Sequence, residues 1–305
     1  MKKTLLFLAL LLVAAAATFL IFAEKNHGGS GHKTAHDADA AYAKGDYQTA
    51  YEIWLTFADK GSYAQYSLGR LYANGQGVAQ SNRTARDWWQ KSMRDIEQSR
   101  VLLSILPEPS DPQYTYATIH EKWQPAAAAG DADTQYKLAF LYLTGIGVPQ
   151  NDTKALVWFE KAANQNHAAA QYQLGKIHDR SNRVPCAAAQ AIQWWEKASA
   201  LGNADAQNIL ALRYDMGFHL TPHYPRDECR AIALREQAAA QGHPEAQTWL
   251  AQTYMYDQPH CNLVANRDKA RALLEQAIAN GGENTRKQAE RVLYALEHNG
   301  RYPTP

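Results

Sequence analysis

Three thiols, Cys186, Cys229 and Cys261, could pair in disulfides, and His223, Cys229, His260 and Cys261 carry metal-ligand chemistry. Thiols and imidazoles together suit zinc, yet zinc sites carry short recurring spacings such as C-x-x-C or H-x-x-x-H, and none organises these four. No metal and no cofactor is therefore expected. Ser30 and Lys33 stand in an S-x-x-K spacing, which a serine-nucleophile enzyme carries on a helix beside an oxyanion hole. Here the pair falls between Asn26 and Asp39, a stretch with Gly28, Gly29 and Gly31 and no apolar run, which is the composition of a tether. Gly75-Gln76-Gly77 and Gly145-Ile146-Gly147 lack the third glycine or the following Gly-Lys-Ser/Thr of phosphate loops and read as hairpin turns. With neither H-E-x-x-H nor G-x-S-x-G present, no catalytic residue is assigned and no enzyme is expected, although a hydrolase with sites in the cysteine-bearing loops stands as an alternative.

The composition is that of a folded protein: 305 residues, 46% hydrophobic and 20% charged. Lys plus Arg number 31 against 30 Asp plus Glu, which leaves no field to gather phosphate backbones and argues against a nucleic-acid partner. Lys2 and Lys3 precede an unbroken apolar run from Thr4 to Ala23, which predicts export across a membrane. The run suits either a cleaved signal or a retained anchor in the inner membrane. Residues 1–23 are assigned to it, 24–39 to a flexible linker and 40–305 to the folded part, with the periplasm as the expected location.

The elements that must position any site are revealed by self-comparison. Ala64-Gln65-Tyr66, Gln135-Tyr136, Ala170-Gln171-Tyr172, Ala206-Gln207 and Ala246-Gln247 recur at Gln-to-Gln intervals of 70, 36, 36 and 40, the first spanning one degenerate copy. Leu, then a small residue, then usually a ring follow at offsets of three, four and seven, as in Leu68, Gly69 and Tyr72, which places them on one stripe of a helix. A second helix follows in each copy, starting near Asn82 or Asp152 and carrying Ala85, Trp88 and Trp89, or Ala155, Trp158 and Phe159, or Ala191, Trp194 and Trp195. Adjacent tryptophans point about 100° apart on a helix, so at least one of each pair belongs to the core. The fold class is all-α, a right-handed solenoid of stacked helical hairpins with capping helices. Val101–Pro112 is expected to replace one first helix by a proline-containing stretch, and Met216–Cys229 to form an enlarged loop.

Asp131–His167, with Gln135-Tyr136-Leu138, Gly145-Ile146-Gly147-Val148-Pro149 and Trp158-Phe159-Lys161-Ala162-Ala163, resembles a Sel-1-like repeat of the tetratricopeptide-related class. The resemblance extends over roughly residues 40 to 281 and implies a non-enzymatic scaffold that binds another protein. Exported members of the family are similar to immunity partners of type VI secretion phospholipase effectors, which implies a toxin as partner; a scaffold for envelope or exopolysaccharide assembly is the second binding role. All three cysteines are expected in loops between the helices of consecutive copies, so that Cys186–Cys229 or Cys229–Cys261 can pair. First helices of such solenoids line a concave face, and positions not used for packing form a ladder: Tyr66 and Arg70; Tyr136 and Phe140; Tyr172 and Lys176; Asn208, Leu212 and Asp215; then Gln252. The tyrosines among them serve equally well as packing between copies.

Overall fold

The computed structural model describes residues 34–59, 61–107, 115–180, 185–216 and 226–298, with the side chains of 180 and 185–188 excepted. The expected export segment, most of the linker, His223 and the side chain of Cys186 lie outside the described residues. Among those residues there are fifteen α-helices, one 3-10 turn and no strand, and no helix is long and apolar enough to cross a membrane. Two compact units divide the chain: Met1–Pro125 with Phe140–Ala155, and Ala126–Ala139 with Leu156–Pro305.

In the first unit, α1 (Ala35–Ala43) and α2 (Tyr47–Phe57) pair ahead of α3 (Ser62–Asn74) and α4 (Asn82–Ser92), which form the first full hairpin. Thr34 and Asp37 make a reciprocal capping box on α1, so residues 35–39, expected in the linker, are helical. Ser81, not Asn82, caps α4, and Asn151, not Asp152, offers its side chain to the start of α8 (Asp152–Ala163). The degenerate copy keeps its first helix. α5 spans Glu97–Ile105 and buries Leu102, because the apolar positions there still recur at helical spacing and the first proline comes only at Pro107. α6 (Tyr116–Ala128) follows, and Tyr116 stacks on Trp89 with ring centroids 5.9 Å apart. At the end of α7 (Ala132–Thr144), the Asn74 side-chain amide donates to the Gly145 carbonyl and accepts from the Gly147 N–H. Gly147 has φ +70°, and a Cβ there would run into the Tyr116 backbone. The glycine pair is thus a packed turn after a helix, as its sequence context implies.

In the second unit, α9 (Ala168–Arg180), α10 (Pro185–Ala200), α11 (Ala204–Met216), α12 (Glu228–Ala240), α13 (Pro244–Thr253), α14 (Arg267–Asn280) and α15 (Glu283–Glu297) pack each on the next. α15 also lies against α13 and closes the stack by burying Val292 and Leu296.

The recurring Gln has a physical task. The side-chain amides of Gln65, Gln135, Gln171, Gln207 and Gln247 donate to the carbonyls of Ala58, Ala127, Ala163, Ser199 and Ala239, at the C-terminal ends of the preceding second helices. Those carbonyls lie beyond the last donors of their own helices; Ala127, Ala163, Ser199 and Ala239 also accept a turn N–H, and each Gln adds a bond from the helix packed on that end. In the second unit Gln165 and Gln241 reach back to the side-chain oxygens of Gln135 and Gln207, at 2.8 Å in both cases. The repeats are stapled by hydrogen bonds as well as by apolar contact.

Candidate protein-binding face

The second helices share a buried position four residues after Ala85, Ala155, Ala191, Ala231 and Ala270, filled in turn by Trp89, Phe159, Trp195, Arg235 and Leu274. The facing small residue on the first helix matches its size. Gly69 and Gly175 stand against Trp89 and Trp195, so that a Cβ at either would overlap the indole. Those indole N–H groups donate to the carbonyls of Tyr66 and Tyr172 at 3.3 and 3.2 Å. Phe159, a smaller ring, is matched by Ala139. The partner tryptophans Trp88, Trp158 and Trp194 sit half-buried, each under the ammonium of the lysine three residues on.

Arg235 breaks this series by placing a charge, 4% exposed, where other copies carry a hydrophobic ring or chain. Its guanidinium bonds the Asp215 carboxylate of α11 and lies 5.4 Å from the centre of the Trp249 ring of α13. A buried cation costs several kcal/mol of lost hydration unless paired, and Asp215 supplies the pair while the indole supplies a polarisable face. One residue of α12 therefore ties together the first helices of two consecutive copies. One copy earlier, Asp179 bonds Arg213 at 2.6 Å, and Arg213 lies 5.7 Å from the Trp195 ring. Burial pushes the Asp179 carboxyl above its usual range, against the lowering pull of Arg213.

What this frame presents outward is apolar. Trp249 is 39% exposed, Leu212 38%, Met216 51% and Tyr256 57%. Leu212 and Met216 are one helical turn apart on α11, and Tyr256 occupies the position forty residues after Met216, in the corresponding place of the next copy. An exposed Trp set against a buried arginine, with Leu212 and Met216 exposed on the preceding first helix, has the composition that concentrates binding energy in protein interfaces.

Five segments match the model of the Sel1 repeat, at residues 62–92, 132–167, 168–203, 204–243 and 244–282, which together exceed half of the chain. The chain is a Sel1 repeat protein. Its repeats form a scaffold suited to protein binding. Among solved structures it is similar to a protective antigen of uropathogenic Escherichia coli strains with an SLR fold, at 27% identity and TM-score 0.52, covering 86% of this chain. The alignment spans only 56% of the antigen chain. Weaker likenesses are a Sel1 repeat protein from Oxalobacter formigenes, at 24% identity and TM-score 0.46 over 90% of this chain and 92% of that one, and an immunity protein from Pseudomonas aeruginosa, at 16% and 0.29 over 88% and 85%. No curated protein sequence matches at a significant level.

The Sel1 copies place the ladder residues unevenly. Phe140, expected on the face, is 1% exposed, because its side of α7 is turned into the core. Tyr66 and Tyr136 are also buried, and Tyr136 stacks on His167 with centroids 4.7 Å apart, which gives both tyrosines the packing role. Arg70 is half-buried; it donates to the Tyr42 hydroxyl at 3.0 Å and faces the rings of Tyr42 and Tyr66. Burial opposes the charge of Arg70, but Tyr66, Tyr42, Tyr63 and Asp39 around it hold it more firmly protonated than usual. Tyr172, Lys176, Asn208 and Gln252 are half-buried, with the Lys176 ammonium 5.3 Å from the Tyr172 ring centre. Of the ten ladder positions, Leu212 is the exposed one. Asp215 belongs with it as the partner of Arg235. Trp249 and Arg235 were not singled out by periodicity; the signal that finds them is the break in the buried column from Trp89, Phe159 and Trp195 to Arg235.

Cys229 and Cys261 form a disulfide, one of the two pairings the Sel1 repeat order allows. The expected loop positions of Cys229 and Cys186 need correction, because they lie in the first turns of α12 and α10, whereas Cys261 lies in the connection between α13 and α14, in the 3-10 turn Pro259–Cys261. Asp227 caps α12, accepting from the Arg230 N–H, and so starts that helix ahead of Cys229.

Proposed function

We propose that this Sel1 repeat protein is an exported scaffold of the immunity type, which neutralises a type VI secretion phospholipase effector by occupying it through the outward side of α11 and α13. The observation that carries the binding face is the buried Arg235, which joins Asp215 to Trp249 at a position that other copies fill with a ring or an aliphatic chain. A buried ion pair is poor at raising stability and good at fixing geometry, so its natural effect here is to hold Trp249 and its apolar neighbours in one arrangement. Lys2 and Lys3 ahead of the Thr4–Ala23 run support export, and a disulfide between Cys229 and Cys261 suits an oxidising compartment. The immunity role follows from the family resemblance.

The test looks for a phospholipase effector gene immediately beside this one and measures growth of cells that express it in the periplasm, with and without the chain. The wild-type chain is expected to protect, and Leu212→Ala with Trp249→Ala to lose protection while keeping helical content by circular dichroism. Failure of the wild type to protect would remove the immunity role. Full protection by the double variant would place the contact elsewhere.

A further inference from the structure

The disulfide sits in a cluster with more ligating chemistry than a covalent staple uses. Cys229 Sγ, Cys261 Sγ and a ring nitrogen of His260 lie within 4.8 Å of one another. His260 Nε2 is 3.0 Å from the Glu228 carboxylate, which Arg226 also reaches at 3.7 Å. The four residues come from two short segments. Glu228 and Cys229 open α12, whose N-terminal N–H groups favour a thiolate at Cys229. His260 and Cys261 ride on a tight turn that is closed by two backbone hydrogen bonds between Gln258 and Leu263, at 2.8 and 3.1 Å.

We propose that this cluster is a zinc site that alternates with the disulfide, taking Zn2+ on Cys229, Cys261, His260 and Glu228 when the sulfurs are reduced. Two thiolates, one imidazole and one carboxylate make a closed tetrahedral set for zinc, whose bonds of about 2.3 Å to sulfur and about 2.0–2.1 Å to nitrogen and oxygen put ligand atoms roughly 3.3–3.8 Å apart. Once the S–S bond is broken the sulfurs must separate by about 1.7 Å and the most distant ligand pair must close by about 1 Å, within the range of side-chain rotation on so short a turn. A dithiol reductant breaks the S–S bond by passing two electrons and two protons to the sulfurs, and itself closes to a disulfide. Zinc then displaces the two thiol protons to solvent. In either state the segment from Tyr254 to Asn266 stays pinned to α12, beside a cavity of about 450 Å3 lined by Ile232, Glu236, Tyr254 and Leu263. Loop position is thereby kept in both redox states, and only the bond that keeps it changes.

The test uses the full chain carrying Cys186→Ser, which removes the third thiol. Reduced protein is expected to take up one equivalent of Co2+ with the sulfur-to-metal absorption of a tetrahedral thiolate site, and to release it to Zn2+. The disulfide form is expected to show no such absorption. His260→Ala is expected to weaken zinc binding by about tenfold or more, with helical content of the oxidised variant unchanged. Equal uptake by the oxidised and reduced forms would overturn the proposal, as would unchanged affinity in both His260→Ala and Glu228→Gln. Loss of helical content on reduction that zinc does not restore would overturn it as well.

Discussion

The guanidinium of Arg235 lies over the ring of Trp249 while bonding the carboxylate of Asp215, so that a residue of one second helix sets the position of an exposed tryptophan on the next first helix. Replacing Arg235 by Met removes the charge and keeps most of the length. Asp215 is then left without its cation, but with 27% of its side chain exposed it can recover some hydration. The expected loss is about 1–3 kcal/mol, below that of a fully enclosed pair. Arg235→Lys should fall between Met and wild type, because an ammonium lacks the planar fork that serves both partners. Urea unfolding measures the order, and the fluorescence difference against Trp249→Phe should show Trp249 more solvent-exposed in both variants.

Gly175 sits inside α9 with ordinary helical geometry, so alanine there should gain about 1 kcal/mol from helix propensity alone. Its absent Cβ is nonetheless the space taken by the Trp195 indole. Overpacking dominates, and Gly175→Ala is expected to destabilise by about 1–3 kcal/mol net. The Ala139 and Phe159 pair shows the matching solution one copy earlier, so Trp195→Phe added to Gly175→Ala should recover much of the loss. A thermal-melt cycle of the two singles and the double reads the coupling, and simple additivity would show that the two positions do not share this space.

The hairpins, their order and the buried Leu and small-residue columns were legible because each rests on local periodicity. Leu68, Leu138, Leu174, Leu210 and Leu250 are all buried, as a stripe at helical spacing requires. The tandem tryptophans resolve as the 100° step demands, with Trp89 and Trp195 fully buried and Trp88 and Trp194 at the edge. The binding face was less legible. Phe140 and Leu212 occupy the same column, but Phe140 is 1% exposed and Leu212 38%, a difference that helical periodicity within one copy does not encode. Arg235 escaped because a charged residue in a helical pattern is ordinarily assigned to solvent, and its burial depends on Asp215 and Trp249 from two other helices. The Gln column was visible as a register mark, whereas its bond to the preceding helix end emerges from the packing angle of the two helices.

Gln171 tests that bond. It is 1% exposed and its amide donates to the Ala163 carbonyl at 3.0 Å. Gln171→Met keeps the shape and removes one of two donors to that carbonyl, which retains the Asn166 N–H at 3.0 Å, for an expected cost of about 0.5–1.5 kcal/mol in chemical unfolding. Gln165 is exposed and bonds the Gln135 side chain from the rim, where water replaces it readily. Gln165→Ala is therefore expected to cost about 0.5 kcal/mol or less. A similar loss from both variants would mean that the column acts through apolar packing of its methylenes and not through the carbonyl it satisfies.

Cys229 and Cys261 are separated by 32 positions in sequence, and closing a loop of that length removes entropy from the unfolded chain. The chain-entropy relation gives about 3–4 kcal/mol for it at 25 °C. The folded segment, however, already has hydrogen bonds from Gln258 to Leu263 and from His260 to Glu228, so the native geometry should survive the change to serine. Cys229→Ser with Cys261→Ser is thus expected to lose most of that 3–4 kcal/mol while keeping its helical content, since the cost arises in the unfolded state. Guanidinium unfolding of the double variant against oxidised wild type reads the difference, and the steeper denaturant dependence expected of an uncrosslinked chain checks its origin. A loss well above 4 kcal/mol would instead mean that the bond also holds α12 and the turn of Cys261 together in the folded protein.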